Sequence, residues 1–134
     1  IQGWFLKRLG CFSINQLSPS LSALRYAISL LETGEQLVVF PEGKINRYRK
    51  NLVLKEGLYR LARLATKKTE SITILPIGIA YSKVPPKFRS EFCLSFGQPI
   101  VINDYLNVTI EEFNKFLNEK MTKEEKIALK NVGR

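Results

Sequence analysis

The chain has 134 residues, 45% of them hydrophobic, which is enough for one domain with a modest core. Its formal net charge of +9 implies an anionic partner. The lack of histidine excludes a Ser-His-Asp triad, a Cys-His pair and a histidine metal site within these residues. No apolar run approaches the ~20 residues of a membrane-spanning helix, and Cys11 and Cys93 fit no metal or redox spacing. We therefore expect no metal site here and two reduced thiols, which suit a cytosolic environment.

The first third of the chain predicts two helices separated by a short strand. Gly10 is the expected stop of the first helix, and residues 11–15 alternate weakly, as a short strand does. Ser18 and Pro19 predict the start of the second helix, with Ser18 as its cap, and Gly34 predicts its end. The expected apolar face of this helix consists of Leu21, Leu24, Ile28 and Leu31.

The most informative segment follows the strand predicted over residues 36–40. Phe40 is followed by Pro41, Glu42 and Gly43, in which Pro41 stops strand pairing and Gly43 frees the backbone for a tight turn. Residues 44–68 then supply +8 of the total charge of +9, because nine cations face the single acid Glu56. These cations are Lys44, Arg47, Arg49, Lys50, Lys55, Arg60, Arg63, Lys67 and Lys68. Two interpretations are open: an ordinary turn beside a solvated basic helix, or a binding loop for a phosphorylated or otherwise anionic ligand.

The next part of the chain predicts one helix and two strands. The helix is expected over residues 55–67. The apolar run over residues 72–80 predicts a buried strand, in which Pro76 indicates an edge, a bulge or an interruption. Residues 92–96 alternate between apolar and small side chains, which predicts a further strand ended by Gly97.

Two capping signals predict helices near the C-terminal end. Thr109 with Glu112 is a capping-box pair, and Thr122 with Glu125 repeats the signal for a short last helix. The whole pattern predicts an α/β fold, with a mixed, mainly parallel sheet of roughly four strands flanked by helices. Residues 1–134 are expected to form a single, partial domain, with strands and helices to about 103 and a C-terminal helical segment at about 109–130.

Four segments follow one another in an order that is specific, although each alone is a weak signal. They are Gly10-Cys11-Phe12-Ser13-Ile14, Val38-Val39-Phe40-Pro41-Glu42-Gly43, Lys55-Glu56-Gly57-Leu58-Tyr59-Arg60-Leu61-Ala62 and Ile74-Leu75-Pro76-Ile77-Gly78-Ile79. Together they resemble the glycerolipid acyltransferases typified by 1-acylglycerol-3-phosphate acyltransferase. The resemblance covers about residues 5–100.

This resemblance implies the transfer of an acyl group from an acyl thioester to the hydroxyl of a lysophospholipid such as 1-acylglycerol-3-phosphate. In that family a His-x-x-x-x-Asp motif supplies a histidine base and the carboxylate that orients it. The motif precedes the segment that matches Gly10, so we expect the catalytic dyad upstream of this chain and no catalytic residue within it. The donor is expected to be acyl-CoA or acyl carrier protein, with no separate cofactor.

The resemblance also implies which residues bind the substrates. The expected acceptor-binding residues are Phe40, Pro41, Glu42, Gly43, Lys44 and Arg47, and Pro76 and Gly78 are expected to shape the wall of the acyl pocket. Two departures bear on the acceptor. Asn15 or Gln16 stands where the family usually has an arginine, and Lys44-Ile45-Asn46-Arg47 replaces the common Thr-Arg-Ser. The second departure resembles a subgroup, including cyanobacterial members, that has its arginine later. Arg47, helped by Lys44, is therefore the expected phosphate contact.

Two other kinds of protein remain as alternatives. One is a non-catalytic homologue that binds lipid or a membrane surface, and the other is a basic nucleic-acid-binding module, for which the sequence has no recognised motif. We expect no nucleic-acid partner. We expect peripheral association with anionic lipids on the cytoplasmic face of a membrane, through the cations of residues 44–68 and apolar residues near Trp4.

Overall fold

The computed structural model describes residues 2–15, 18, 20–44 and 53–134. In chain order its helices and strands are α1 (Gln2–Arg8), α2 (Leu21–Glu32), α3 (Gly57–Ala65), β1 (Thr73–Ile74), β2 (Ile77–Tyr81), β3 (Phe92–Phe96), β4 (Ile100–Val101), a 3-10 helix (Ile102–Tyr105) and α4 (Ile110–Asn131). Within the described part of the chain, no helix combines the length and the apolar composition that crossing a membrane requires.

Gly34 ends α2, as the sequence predicts. It has a φ of +81°, which favours glycine because a Cβ is strained in the left-handed region. The amide of Glu35 donates to the Leu30 carbonyl at 2.9 Å and the amide of Gly34 donates to the Leu31 carbonyl at 3.1 Å, which are the two bonds of a Schellman motif. Gly10, with a φ of +80°, stops the first helix in the same conformation.

The start of α2 differs from the prediction. The cap is Ser20 and not Ser18. The Ser20 hydroxyl accepts a hydrogen bond from the Ala23 amide at 3.2 Å. Ser20 has extended backbone angles and lies three residues before that amide, which is the geometry of an N-cap. The helix therefore begins at Leu21, two residues later than a cap at Ser18 would place it.

The described strands form two sheets of two strands each, and both are antiparallel. The expected mixture of helices and strands is confirmed, but the mainly parallel pairing is not observed among the described residues. β2 and β3 pair as a hairpin, with Ile77 opposite Phe96 and Tyr81 opposite Phe92. A hairpin connection makes consecutive strands antiparallel, whereas parallel pairing needs a longer crossover.

Two predicted strands are absent from these sheets. Residues 11–15 and 36–40 join no strand ladder in the described part of the structure. The side chains of Val38 and Phe40 are 84% and 66% exposed, so no described strand or helix covers these two side chains. Its β-branched composition favours a strand, but a strand forms only when a neighbour supplies its hydrogen-bond partners.

Pro76 divides the apolar run over residues 72–80, so an interruption is the one of the three predicted possibilities that the structure shows. The run forms β1 before the proline and β2 after it, and these strands belong to different sheets, because β1 pairs with β4 and β2 pairs with β3. Pro76 is fully buried, and its carbonyl accepts a hydrogen bond from the Gly97 amide at 2.9 Å. A residue without an N–H cannot continue a ladder, so the proline marks the point where the chain changes partner.

The C-terminal segment is one helix and not two. The capping box of Thr109 and Glu112 opens α4, as predicted, and the helix continues through Thr122 to Asn131. The expected second start at Thr122 is therefore wrong. No glycine or proline interrupts residues 110–131, so nothing stops the helix at an internal Thr-x-x-Glu pattern.

The core lies between α3, α4 and the segments around β1 and β4. Its centre is a stack of Tyr59 on Phe113, with ring centroids 4.4 Å apart and ring planes 16° from parallel. The other buried members of this cluster are Leu54, Ala62, Ala65, Ile72, Ile100, Ile102 and Leu117. Phe113 and Leu117 are thus the buried positions of α4 that belong to this core.

Candidate functional site

Residues 40–43 form a closed turn, which we call the 40–43 turn. The amide of Gly43 donates to the carbonyl of Phe40 at 3.1 Å, and Gly43 has a φ of +65°. Pro41 at the second position and Gly43 at the fourth are the preferences of a type I turn. Proline fixes one backbone angle and glycine accepts the left-handed one, so the conformation depends on these two residues and not on the Glu42 carboxylate.

Backbone hydrogen bonds attach the 40–43 turn to the start of α3. The carbonyl of Pro41, which is buried, accepts a hydrogen bond from the Lys55 amide at 2.7 Å. The preceding residue, Leu54, is a buried core residue whose carbonyl accepts a bond from the Asn114 side-chain amide at 3.3 Å. The turn is therefore fixed to the segment just before α3, and this segment is joined to α4 through Leu54.

The side chains of the turn differ in exposure. Phe40 and Lys44 are exposed, and Glu42 is half-buried. Within the described ranges, no donor forms a hydrogen bond or ion pair with the Glu42 carboxylate, so its oxygens remain available to a ligand. Arg47, the expected phosphate contact, lies outside the described residues.

The basic segment after the turn contains cations of two kinds. Arg60 and Arg63 have structural contacts: Arg60 pairs with Glu56 at 2.6 Å, and the Arg63 guanidinium lies 5.6 Å from the centre of the Tyr59 ring. A second set is exposed and forms no ion pair with any acid in the described part of the chain. This set consists of Lys44, Lys55, Lys67 and Lys68. Part of the described charge is thus structural, and these four lysines are open to an anionic partner.

Pro76 and Gly78 have packing roles in the structure. Pro76 is fully buried at the change of strand partner, and Gly78 lies in β2 against the backbone of Glu124 in α4. The expectation that both shape an acyl pocket stays a prediction.

Tyr59 is a positioning residue that the sequence analysis missed. Its hydroxyl donates to the Tyr105 carbonyl at 2.6 Å and lies 3.1 Å from the Val108 carbonyl, which ties α3 to the turn before α4. Tyr59 precedes Ala62 by three residues and therefore shares the inward face of the helix. This spacing of three residues is the sequence signal from which the buried position of Tyr59 could have been predicted.

Among the described residues, no group of acidic, cysteine or histidine side chains is arranged to hold a metal ion.

Comparisons with known proteins identify the family of this chain. The model of the Acyltransferase family matches residues 1–80, a range that contains the 40–43 turn and its attachment to α3. A 1-acyl-sn-glycerol-3-phosphate acyltransferase of Streptococcus pneumoniae (strain ATCC BAA-255 / R6) is 27% identical over 125 residues. The alignment covers 91% of this chain and 44% of that protein, so the chain spans less than half the length of this relative. No solved structure matches the chain. The resemblance to glycerolipid acyltransferases is confirmed, and the chain belongs to the Acyltransferase family.

Proposed function

We propose that the protein containing this chain transfers an acyl group from acyl-CoA or acyl carrier protein to the hydroxyl of a lysophospholipid resembling 1-acylglycerol-3-phosphate. The family match and the name of the streptococcal relative support this reaction in glycerophospholipid synthesis. The observation that carries the proposal is the 40–43 turn, which the Pro41–Lys55 hydrogen bond fixes and whose Glu42 carboxylate has no hydrogen-bond or ion-pair partner among the described residues.

The reaction needs a base and an activated acyl group. The acceptor oxygen attacks the thioester carbonyl carbon while a base removes the hydroxyl proton, and the C–S bond then breaks. The products are an ester and a thiol, which receives the proton. No histidine occurs in the 134 residues, so in this proposal the His-x-x-x-x-Asp dyad lies upstream of this chain. The thioester already supplies the activated acyl group, so no separate cofactor is proposed.

The 40–43 turn and the residues after it supply the proposed acceptor site. Glu42 accepts a hydrogen bond from an acceptor hydroxyl, and Lys44 places a positive charge toward the phosphate. Arg47 is proposed to bind the same phosphate through its planar guanidinium, which can hold two oxygens at once. Phe40, exposed at the start of the turn, offers apolar contact to the glycerolipid. Pro76 and Gly78 are proposed to support the acyl pocket.

Peripheral association with the cytoplasmic face of a membrane is the proposed setting of this reaction. Lys44, Lys55, Lys67 and Lys68 are exposed and form no ion pair among the described residues, and each would attract anionic headgroups with on the order of 1 kcal/mol near the surface. Helix α1 adds the exposed apolar side chains of Trp4, Phe5 and Leu6.

The experiment is an acyl-transfer assay with the full-length protein. Labelled acyl-CoA and acyl carrier protein are each supplied with 1-acylglycerol-3-phosphate, and ester product and free thiol are measured. The proposal expects product with at least one donor, and loss of product when the upstream histidine of the dyad is changed to alanine. A protein that binds the lysophospholipid but makes no ester with either donor would instead be the non-catalytic homologue. The lack of histidine in this chain keeps that second candidate open.

A further inference from the structure

The loop that joins β2 to β3 exposes the most accessible large apolar side chain of the described residues. We call residues 82–91 the hairpin tip. Phe88 in this loop is 93% exposed, and Val84 is 57% exposed. Exposed single apolar residues are ordinary, but an almost fully solvated phenylalanine at the end of an apolar hairpin is a feature that interaction surfaces share.

Hydrogen bonds hold the hairpin tip in a defined shape. At its base the Ser82 amide donates to the Glu91 carbonyl at 2.9 Å, and the Glu91 amide donates to the Ser82 hydroxyl at 3.0 Å. At its end the Ser90 amide donates to the Lys87 carbonyl at 2.9 Å, and the Lys87 amide donates to the Ser90 hydroxyl at 2.8 Å. Phe88 is the second residue of this turn, and its side chain is almost fully exposed there. Its exposure is therefore a consequence of an ordered turn.

The third residue of the same turn is Arg89, which has a φ of +63°. A left-handed conformation is strained for arginine, and glycine would be the usual residue there. The Arg89 guanidinium lies 5.5 Å from the centre of the Phe88 ring. The turn thus holds a cation beside the exposed ring. At this backbone position glycine would be favoured if stability were the only requirement.

The charge of the hairpin tip is positive. Lys83, Lys87 and Arg89 are exposed, and the one acid of the loop is Glu91. Arg134, after α4, adds a further cation at this end of the hairpin, because its guanidinium donates to the Tyr81 carbonyl at 2.7 Å. The loop that carries the exposed ring therefore has a net positive charge, which matches a surface that is negatively charged outside and apolar inside.

The apolar surface continues from the hairpin tip along the outer face of β2 and β3. Alternation along both strands places small residues toward α4 and large apolar residues on the opposite face. The cross-strand pairs of this outer face are Ile77–Phe96, Ile79–Leu94 and Tyr81–Phe92, and none of these side chains is fully buried. The tip is thus the end of a longer apolar face and not an isolated side chain.

We propose that the hairpin tip docks on the surface of an anionic phospholipid bilayer. Phe88 enters the boundary between headgroups and acyl chains, and Lys83, Lys87 and Arg89 contact the lipid phosphates. Interfacial segments of peripheral proteins combine the same two features, apolar side chains flanked by Lys and Arg. This inference deepens the membrane association proposed above by naming a second surface, and it holds for a catalytic or a non-catalytic homologue.

The experiment uses the full-length protein with its native cysteines replaced by serine. Phe88→Cys carries a fluorophore that reports the polarity of its surroundings, and Glu119→Cys, exposed on α4 toward its other end, carries the same label as a matched control. Each is mixed with vesicles of phosphatidylcholine alone or with added phosphatidylglycerol. We expect an apolar shift of the label at position 88 on the anionic vesicles and none at position 119. Lys83→Gln and Lys87→Gln should each lower the apparent lipid affinity read at position 88 about fivefold.

Three results would overturn the proposal. A label at position 88 that stays in a water-like environment on anionic vesicles would show that the tip does not dock. An apolar shift without lipid that grows with protein concentration would show that a second copy covers the tip. An apolar shift without lipid that is the same at every protein concentration would show that another part of the full-length chain covers the tip. Because the readout is local to position 88, it does not depend on acyl transfer, so its failure is distinguishable from failure of the proposed reaction.

Discussion

Gly78 in β2 lies directly against the backbone of Glu124 in α4. A Cβ atom built on Gly78 would come within 2.2 Å of the Glu124 carbonyl carbon and 2.3 Å of the Glu125 amide nitrogen. Atoms in folded proteins do not approach so closely, and backbone cannot move aside as a flexible side chain can. The strand and the helix can therefore pack at this distance only because residue 78 has no side chain.

Gly78→Ala should destabilise the protein strongly. The added methyl group forces α4 away from β2, and overpacking of this kind costs about 1–3 kcal/mol, or more where backbone must shift. Urea unfolding followed by circular dichroism measures the change. Gly57→Ala is the matched control, since a Cβ there meets nothing within 4 Å. Equal stability of the two variants would show that the helix and strand are not held at this separation.

Ser95→Ala should also reduce stability, because Glu124 is buried and has Ser95 as its partner. The Ser95 hydroxyl donates to the Glu124 carboxylate at 2.5 Å, and Glu124 is only 8% exposed. Loss of a hydrogen bond to a buried charged group costs about 1.5–3 kcal/mol. A double-mutant cycle with Glu124→Gln measures the coupling between the two side chains. Additive losses in that cycle would contradict a direct interaction.

Local signals in the sequence predicted much of the helical structure. Gly10 and Gly34 stop their helices, Thr109 caps α4, and Pro76 interrupts its strand, because each of these residues acts on its own backbone neighbours. Strand pairing was not predictable in the same way. Residues 36–40 have the composition of a strand, yet their pairing depends on segments elsewhere in the chain.

Tyr59→Phe should cost about 1 kcal/mol of stability. The variant keeps the stack on Phe113 but loses the hydroxyl that donates to the Tyr105 carbonyl at 2.6 Å. Tyr59→Ala should cost about 3–5 kcal/mol, since it also leaves a cavity in the core. Thermal or chemical unfolding distinguishes the two. If Tyr59→Phe lowered the stability as much as Tyr59→Ala does, the hydroxyl, and not the ring, would hold α3 in place.

Part of the candidate site was also predictable from sequence. The turn at Phe40, Pro41 and Gly43 follows from residue types, and the structure confirms that it closes. Its attachment through Pro41 to Lys55 was not predictable, because it joins residues separated by fourteen positions through main-chain atoms that any sequence possesses. The substrate contacts of Arg47 and Glu42 stay predictions.

Arg47→Ala in the full-length protein should raise the KM for the acceptor roughly tenfold or more, since one charged hydrogen bond contributes about 1.5–3 kcal/mol. Lys44→Ala should act in the same direction but more weakly, because an exposed ammonium binds as a single screened charge. The KM for the acyl donor should barely change in either variant. Steady-state kinetics with each substrate varied in turn measures both constants. A rise in the donor KM instead would assign these cations to the thioester.

The acceptor kinetics of Glu42→Gln test the central claim most directly, that the 40–43 turn binds the acceptor of an acyl transfer. The variant keeps the shape of the side chain and removes its charge, and the turn itself depends on Pro41 and Gly43. We predict a fall in kcat/KM for the acceptor of about tenfold or more with an unchanged unfolding temperature. Full activity in Glu42→Gln, or loss of activity only through unfolding, would show that the turn is structural and would contradict the account.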